Sequence, residues 1–180
     1  MDTTLRRLPL AYDMAVRAHE GQTRRAGRGE PYVNHVADVA RRVCASAAVD
    51  ETTLLSAVLH DVVEKTDRTL AEVEVAFGTE VAGVVAELTD GPSLPEAEQW
   101  RMQVELAGRM SERAGRIKLA DKASKMASIA EAPPGWPERG EARAEVEQAR
   151  LVADRLRGLD AVLEAARDRE AVRAEAALGA

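Results

Sequence analysis

Apolar residues recur at intervals of three and four along most of this chain, the spacing that places them on one face of an α-helix. Leu8, Ala11, Met14, Ala15 and Ala18 form the first such series. No segment alternates apolar and polar residues with the period of two that a half-buried strand requires. Alanine, the best helix former, is also the commonest residue. The sequence therefore predicts an all-α fold, a compact bundle of about eight to ten helices.

The chain has 180 residues, the length of one domain. Breaks that contain glycine and proline divide the helical pattern, and a third helix is predicted at about residues 50–64. A long final helix is predicted at about residues 138–164. Residues 165–180 alternate small and charged side chains, so we expect a C-terminal tail that frays or is disordered. The domain itself is predicted to span residues 1–164.

Composition excludes several classes of protein. The single cysteine, Cys44, rules out a disulfide framework and a cysteine-based zinc finger, and it is predicted to be a small core residue. A net charge of −6 and an aromatic content of 3% argue against binding to nucleic acid. Neither a membrane span nor a secretory signal is visible. We therefore expect a cytoplasmic protein without nucleic-acid or membrane partners, with assembly into a homo-oligomer left open.

Side chains suited to binding a metal ion occur in separate helical segments. His60 and Asp61 are adjacent near the end of an apolar helix, and His35 begins another helix. Asp121 lies inside an apolar helix face, where a carboxylate is costly unless it is paired or ligates a metal. Two imidazoles and two carboxylates suit Mn²⁺, Fe²⁺, Co²⁺ or Zn²⁺, and such an ion would activate water. The alternative is that His60 is a core histidine and Asp61 pairs with Lys65.

Longer motifs appear in a characteristic order. They are Ala18-His-Glu-Gly-Gln-Thr-Arg-Arg-Ala-Gly, Pro31-Tyr-Val-Asn-His35, Ala57-Val-Leu-His-Asp-Val-Val-Glu-Lys-Thr, Phe77-Gly, Ile117-Lys-Leu-Ala-Asp-Lys-Ala-Ser-Lys-Met and Pro134-Gly-Trp. Together they resemble the HD-domain phosphohydrolases, specifically the small alarmone hydrolases related to the Rel/SpoT hydrolase domain. The resemblance covers about residues 8–160. It is specific because motifs that are weak separately occur in the right order and spacing.

The resemblance implies roles for individual residues. The family's metal ligands fall on His35, His60, Asp61 and Asp121. Its usual ion is a single Mn²⁺, and its acid that orients water and moves protons falls on Glu64. Its nucleotide contacts fall on Arg24 and Arg25, whose forked donors suit phosphate. The implied reaction removes the 3′-pyrophosphate of (p)ppGpp to give GDP or GTP, and some family members remove the 2′-phosphate of NADPH.

The chain departs from the family around the expected pocket. The family's E-D-T is Glu64-Lys65-Thr66, so a cation replaces an acid. Lys65 is expected to bridge Asp61, to hold a substrate phosphate or to impair the usual reaction. The family's asparagine falls on Lys125, and its basic loop L-P-K-A-E-R-K-R is Leu94-Pro-Glu-Ala-Glu-Gln-Trp-Arg101. Fewer cations in that loop should weaken recognition of a polyphosphate.

These departures leave three functions open. The first is a metal-dependent (p)ppGpp 3′-pyrophosphohydrolase, the second a nucleotide phosphatase acting on the NADPH 2′-phosphate or a nucleoside monophosphate, and the third a non-catalytic nucleotide-binding regulatory module. The candidate catalytic residues are Glu64 and Lys65, and the candidate substrate contacts are Arg24, Arg25, Lys118 and Lys125. We expect His19 to be a structural hydrogen-bonding residue, and Trp100 either to cover the pocket or to lie at an interface.

Overall fold

A computed structural model describes residues 3–25, 29–90, 95–132 and 139–179, apart from the side chains of residues 3, 96 and 97. The helices in these ranges are α1 (Thr3–Ala18), α2 (Val33–Val43), α3 (Glu51–Leu59), α4 (Leu70–Phe77), α5 (Thr79–Leu88), α6 (Glu96–Ala107), α7 (Glu112–Ala130), α8 (Arg139–Asp154) and α9 (Ala161–Leu178). No strand occurs in them, and an isolated bridge pairs Thr23 with Pro31. The predicted all-α fold is confirmed.

Side-chain caps begin several of the helices. The Asp50 carboxylate accepts from the Thr53 backbone N–H at the start of α3. Thr69 and Glu72 form a reciprocal capping box on α4, as the sequence pattern suggests. The Ser111 hydroxyl accepts from the Ala114 backbone N–H and so caps the start of the central helix α7.

Helix α7 lies at the centre of the bundle and is buried along most of its length. Helices α2, α3 and α5 pack against it, and α8 and α9 also contact it. The glycine at position 115 permits one close approach, because a Cβ there would lie 2.6 Å from Cδ2 of Leu159. Because helices surround α7, its polar residues also lie in the interior, among them Asp121, which is 3% exposed.

The third helix is shorter than predicted. Helix α3 ends at Leu59, His60 is its C-cap, and successive turns follow. The Val62 N–H donates to the Leu59 carbonyl three residues earlier, at 3.1 Å, which is the spacing of a 3₁₀ turn rather than of an α-helix. The Lys65 N–H donates to the Asp61 carbonyl at 2.9 Å. The apolar spacing continues through these turns, which explains the longer prediction. The turns place His60 and Asp61 at the end of the helix rather than within it.

The C-terminal region also differs from the prediction. Helix α8 ends at Asp154, and the chain turns through a glycine at position 158 with φ of +87°. Asp160 then caps α9 by accepting from two backbone N–H groups, so residues 165–178 form a helix instead of a frayed tail. Ala174 and Leu178 of α9 are buried against side chains of α7 and α8. This burial stabilises a segment whose own pattern of small and charged residues looked unstructured.

Two further observations concern Cys44 and the length of the apolar helices. Cys44 follows α2 and is exposed, so the prediction that it is a core residue was wrong. Among the described residues, no helix is both long and apolar enough to cross a membrane.

Candidate metal centre

Three of the predicted ligands converge in the interior. His35 lies in the first turn of α2, His60 caps the end of α3, and Asp121 lies in the middle of α7. One ligand atom from each lies within 4.8 Å of the others, and all three residues are buried. The packing of α2 and α3 on α7 therefore brings together residues that are far apart in the sequence.

The atoms that face this point have no hydrogen-bond partner among the described residues. They are Nε2 of His35, Nε2 of His60 and Oδ1 of Asp121. The other ring nitrogen of His60, Nδ1, lies 2.8 Å from the Ala57 carbonyl, which can only accept, so Nδ1 carries a proton and the neutral ring has its lone pair on Nε2. Buried polar atoms without partners are rare and call for an explanation. A divalent cation would satisfy these atoms, and the donor set fits a borderline metal.

Asp61 faces the same point from beside His60. Its Oδ2 is 3.1 Å from Nε2 of His60 and 3.5 Å from Nε2 of His35. The Tyr32 hydroxyl donates a hydrogen bond to this same oxygen. Burial raises the pKa of the Asp61 carboxyl, but His60, His35 and Lys65 outweigh burial and hold the pKa well below its usual value. Asp61 is therefore an anion within reach of the unpartnered nitrogens.

Asp121 divides its two oxygens between different neighbours. Oδ1 lies 3.2 Å from Nε2 of His35, whereas Oδ2 accepts a hydrogen bond of 3.0 Å from Nζ of Lys125. Burial raises the pKa of Asp121, but the Lys125 ammonium and His35 lower it well below the usual value. One carboxylate oxygen thus remains available to an ion.

A cleft of about 580 Å³ opens beside the candidate metal ligands. His35 and Glu64 line it, together with Lys65, Lys125 and Trp100. A smaller cavity of about 20 Å³, enough for one water-sized group, lies next to His60, Asp61 and Asp121. Glu64 and Lys125 line both spaces. A substrate in the cleft would therefore lie next to the candidate metal ligands.

Glu64 is held at this junction by two donors. Its Oε1 forms an ion pair of 2.9 Å with Nζ of Lys65, and its Oε2 accepts from the Asp90 backbone N–H at 3.2 Å. The alternative pairing of Lys65 with Asp61 is not found among the described contacts. Burial lowers the pKa of Lys65, but the carboxylates of Asp61 and Glu64 outweigh burial and raise it. The lysine is thus a cation that shields the carboxylate it contacts.

The predicted phosphate-binding cations have different surroundings. The Arg24 side chain is 12% exposed, and its Nη2 donates to the Ser124 carbonyl at 2.9 Å. Arg25 is exposed and pairs with Glu141 of α8, and both arginines line the cleft. Lys118 is buried and lines only the smaller cavity. Arg25 is therefore better exposed to a ligand in the cleft than Lys118 is.

Several residues around the site were not assigned a role from sequence. Tyr32 donates to Asp61, and the Ser124 hydroxyl contacts Nδ1 of His35 at 3.0 Å. Both belong to motifs noted in the sequence, each three residues from a predicted ligand. Gln103 of α6 donates to Asp90, and its Oε1 accepts from Lys122 at 3.2 Å. These contacts support the walls of the cleft around Glu64.

His19 behaves as the sequence analysis expects. Gln22 donates from its amide nitrogen to the Lys65 carbonyl at 2.8 Å, so its amide oxygen must accept from Nδ1 of His19 at 2.9 Å. Trp100 is half-buried and lines the cleft, which favours the pocket role. The Pro134-Gly-Trp motif, Leu94 and the side chain of Glu96 lie outside the described residues.

Comparison with known proteins agrees with this geometry. Residues 11–156 match the HD domain family. The guanosine-3′,5′-bis(diphosphate) 3′-pyrophosphohydrolase of Drosophila melanogaster is 42% identical over 81% of this chain and 82% of that protein. The Homo sapiens protein of the same name is 43% identical over 71% of this chain and 73% of its own length.

A solved structure supports the same relationship. It is a metazoan orthologue of SpoT that hydrolyses ppGpp, and it aligns with a TM-score of 0.84 and 37% identity over 94% of each chain. The resemblance inferred from the motifs is thereby confirmed. The chain belongs to the HD-domain family of hydrolases.

Proposed function

We propose that this chain is a metal-dependent nucleotide phosphohydrolase that removes the 3′-pyrophosphate of (p)ppGpp. One observation carries the proposal: the unpartnered atoms of His35, His60 and Asp121 lie beside a cleft that contains both a carboxylate and several cations. A carboxylate can accept a proton from water, and the cations can bind phosphate. The similarity to curated pyrophosphohydrolases supports the choice of substrate.

The proposed metal ligands are His35, His60, Asp61 and Asp121. We propose a single divalent ion, with Mn²⁺ the first choice and Fe²⁺, Co²⁺ or Zn²⁺ as alternatives. When bound, such an ion would lower the pKa of a water molecule and would stabilise negative charge on phosphate oxygens. Tyr32 holds Asp61, and the Ala57 carbonyl holds His60, so the ligands are positioned before an ion arrives.

The residues of the chain perform the remaining steps. Arg25, Lys65 and Lys125 bind the phosphate oxygens in the cleft. Glu64 accepts a proton as the water oxygen bonds to the phosphorus attached to the 3′ oxygen. The bond between that phosphorus and the 3′ oxygen breaks, and the proton passes to the 3′ oxygen. The products are GDP or GTP and pyrophosphate.

A second candidate is favoured by the ion pair between Lys65 and Glu64. At 2.9 Å, the ammonium occupies one oxygen of the proposed proton acceptor. A substrate whose phosphate forms an ion pair with Lys65 would release Oε1 of Glu64, which could then accept a proton. The NADPH 2′-phosphate and nucleoside monophosphates are the alternatives, since both present a phosphomonoester dianion. If no substrate displaces Lys65, the chain is a regulatory module that binds nucleotide without turnover.

We also propose a cytoplasmic location. The exposed thiol of Cys44 suits a reducing compartment, where a free cysteine persists.

The test compares ppGpp, NADPH and AMP as substrates of the purified protein loaded with Mn²⁺. Pyrophosphate release from ppGpp, absent in Asp121→Asn, is the expected result. Phosphate release from NADPH or AMP alone would support the second candidate instead. Saturable nucleotide binding without any release would support the regulatory module. The Asp121→Asn variant keeps the shape of the side chain, so its circular dichroism should match that of the unmodified chain.

A further inference from the structure

A cluster of hydrogen-bonding side chains joins α6, α7 and α8 along one wall of the cleft. It consists of Gln103, Lys122 and Gln148, all of which line the cleft. Nζ of Lys122 donates to Oε1 of Gln148 at 2.8 Å and to Oε1 of Gln103 at 3.2 Å. Lys122 and Gln148 are buried, so their side chains are held within the wall.

The chemistry of the donors fixes the orientation of both amides. An ammonium group only donates, so the atoms that it contacts are the amide oxygens. Nε2 of Gln148 then donates to Oε1 of Gln103 at 2.6 Å, and Nε2 of Gln103 donates to the Asp90 carboxylate. Oε1 of Gln103 thus accepts two hydrogen bonds, one for each of its lone pairs. The amide oxygens therefore face donors that belong to the cluster itself.

The hydrogen-bonding capacity that remains consists mainly of donors. An ammonium group has three N–H groups and a glutamine amide has two. Among the described contacts, Lys122 uses two N–H groups, and Gln103 and Gln148 use one each. One N–H on each of the three residues is thus available to a ligand in the cleft. Ionised phosphate oxygens only accept hydrogen bonds, so a phosphate group suits this arrangement.

The charge of Lys122 is poorly balanced by the chain. Both of its hydrogen-bond partners are neutral amides, and none of the described ion pairs includes it. Burial and the ammonium groups of Lys125 and Lys118 lower the pKa of Lys122 to about 7. The carboxylates of Asp121 and Glu145 oppose this shift without outweighing it. A buried charge is costly unless it is paired, and an anion beside Nζ would supply the missing partner.

The cluster begins beside the candidate metal ligands and extends away from them. Lys122 follows Asp121 directly on α7. Gln103 lines both the cleft and the small cavity next to Asp121, whereas Lys122 and Gln148 line the cleft but not that cavity. A phosphate bound to the cluster would therefore lie beside a group at the metal centre. The two phosphates of a diphosphate have this relationship, because one oxygen joins them.

We propose that Gln103, Lys122 and Gln148 form a subsite for the terminal phosphate of the 3′-pyrophosphate group. The subsite would distinguish a diphosphate from a monophosphate at the reacting position. The identity of the ligand rests on the proposed function, whereas the surplus of donors is a property of the three side chains alone.

The test measures how much the terminal phosphate adds to binding. Titration calorimetry of the full chain loaded with Mn²⁺ compares guanosine 5′-diphosphate 3′-diphosphate with guanosine 5′-diphosphate 3′-monophosphate, in a Glu64→Gln background that prevents turnover. We expect the 3′-diphosphate to bind about tenfold more tightly or better, because charge-assisted hydrogen bonds are gained. Equal affinities would overturn the subsite, and no binding of either nucleotide would overturn the proposed function with it.

Variants in the same background assign the difference to the cluster. Lys122→Met, which keeps the length of the side chain but has no N–H and no charge, should reduce the difference from about tenfold to about twofold or less. Gln148→Met should reduce it in the same direction. Arg113→Met, which removes a positive charge from α7 at the exposed pair with Asp50, is the matched control and should preserve the difference.

The ratio of the two affinities separates a binding role from a structural one. A cluster that only joined the helices would, when disrupted, weaken both nucleotides alike. An unchanged ratio in either variant, with circular dichroism that shows a folded chain, would therefore refute the subsite. If the ratio falls as expected but the unmodified chain releases no pyrophosphate from ppGpp, the subsite stands and the proposed reaction fails.

Discussion

Lys125 lies one helical turn after Asp121 on α7 and donates to its Oδ2 over 3.0 Å. The remaining oxygen, Oδ1, lies 3.2 Å from Nε2 of His35. One carboxylate thus contacts an ammonium on one side and a metal-centre imidazole on the other. The ammonium would oppose a divalent cation electrostatically and would compete with it for Oδ2.

Replacing Lys125 with methionine should therefore strengthen metal binding. The neutral side chain removes a like charge close to the ion, and we expect the Kd for Mn²⁺ to fall about tenfold. Titration calorimetry of Lys125→Met against the unmodified chain measures this. Weaker binding would mean instead that the lysine is needed to hold Asp121 in place.

Replacing Lys65 with methionine should separate its two proposed effects. If Lys65 binds a substrate phosphate, the KM for ppGpp should rise about tenfold while kcat changes little, because a charge-assisted hydrogen bond is lost. Steady-state pyrophosphate release measures both constants. Arg68→Met, which removes an equal charge from the exposed pair with Glu72, is the control. A higher kcat in Lys65→Met would show that the lysine inhibits Glu64 instead.

A carboxylate placed on the buried face of α9 should unfold the C-terminal part of the bundle. Ala174 is fully buried, and Ala174→Asp should lower the free energy of unfolding by at least about 3 kcal/mol. Urea denaturation measures the change. Ala176→Asp, at an exposed position of the same helix, should stay within about 1 kcal/mol of the unmodified chain. Equal effects of the two variants would contradict the packing of α9 on α7.

The cap of α3 should make stability depend on pH in the acid range. Burial raises the pKa of Asp50, but hydrogen bonds from Thr53 and Arg113 together outweigh burial and lower it to about 2. Because this pKa is below its unfolded value of about 3.9, the ionised cap stabilises the fold above that pH and loses its effect as pH falls toward 2. The Asp50 side chain is 45% exposed, so the effect should be below about 1 kcal/mol.

Asp50→Asn isolates this contribution, since asparagine also caps helices but does not titrate. The stability advantage of the unmodified chain over this variant should shrink as pH is lowered from 6 to 3 in urea denaturation. A constant difference across that range would contradict the lowered pKa.

The sequence was sufficient to select His35, His60 and Asp121 as candidate ligands, because each occurs in a motif of recognisable order, and the structure brings the three together. It could not reveal that Ser124 contacts His35, because the two residues are separated by 89 positions and meet only through the packing of α2 on α7. The pairing of Lys65 with Glu64 instead of Asp61 depended likewise on the turns after α3.

The C-terminal helices were misjudged for a different reason. The signals were present, since a glycine at position 158 and Asp160 mark an end and a beginning. Alanine- and charge-rich residues on both sides concealed the break, because both helices have weak apolar patterns. Their burial against α7 is a tertiary effect that local patterns do not report.

The convergence of His35, His60 and Asp121 affects how the stability and metal affinity of any variant are compared. An ion held by His35, His60 and Asp121 would join α2, the end of α3 and α7, segments that an unfolded chain cannot present together. Its binding free energy would then add to the folding free energy and vary with the concentration of free metal. A mutation in α9, far from any ligand, would register as a loss of metal affinity. Thermal melts and metal titrations of this protein would thus measure one linked equilibrium, and each has meaning only at a stated concentration of free ion.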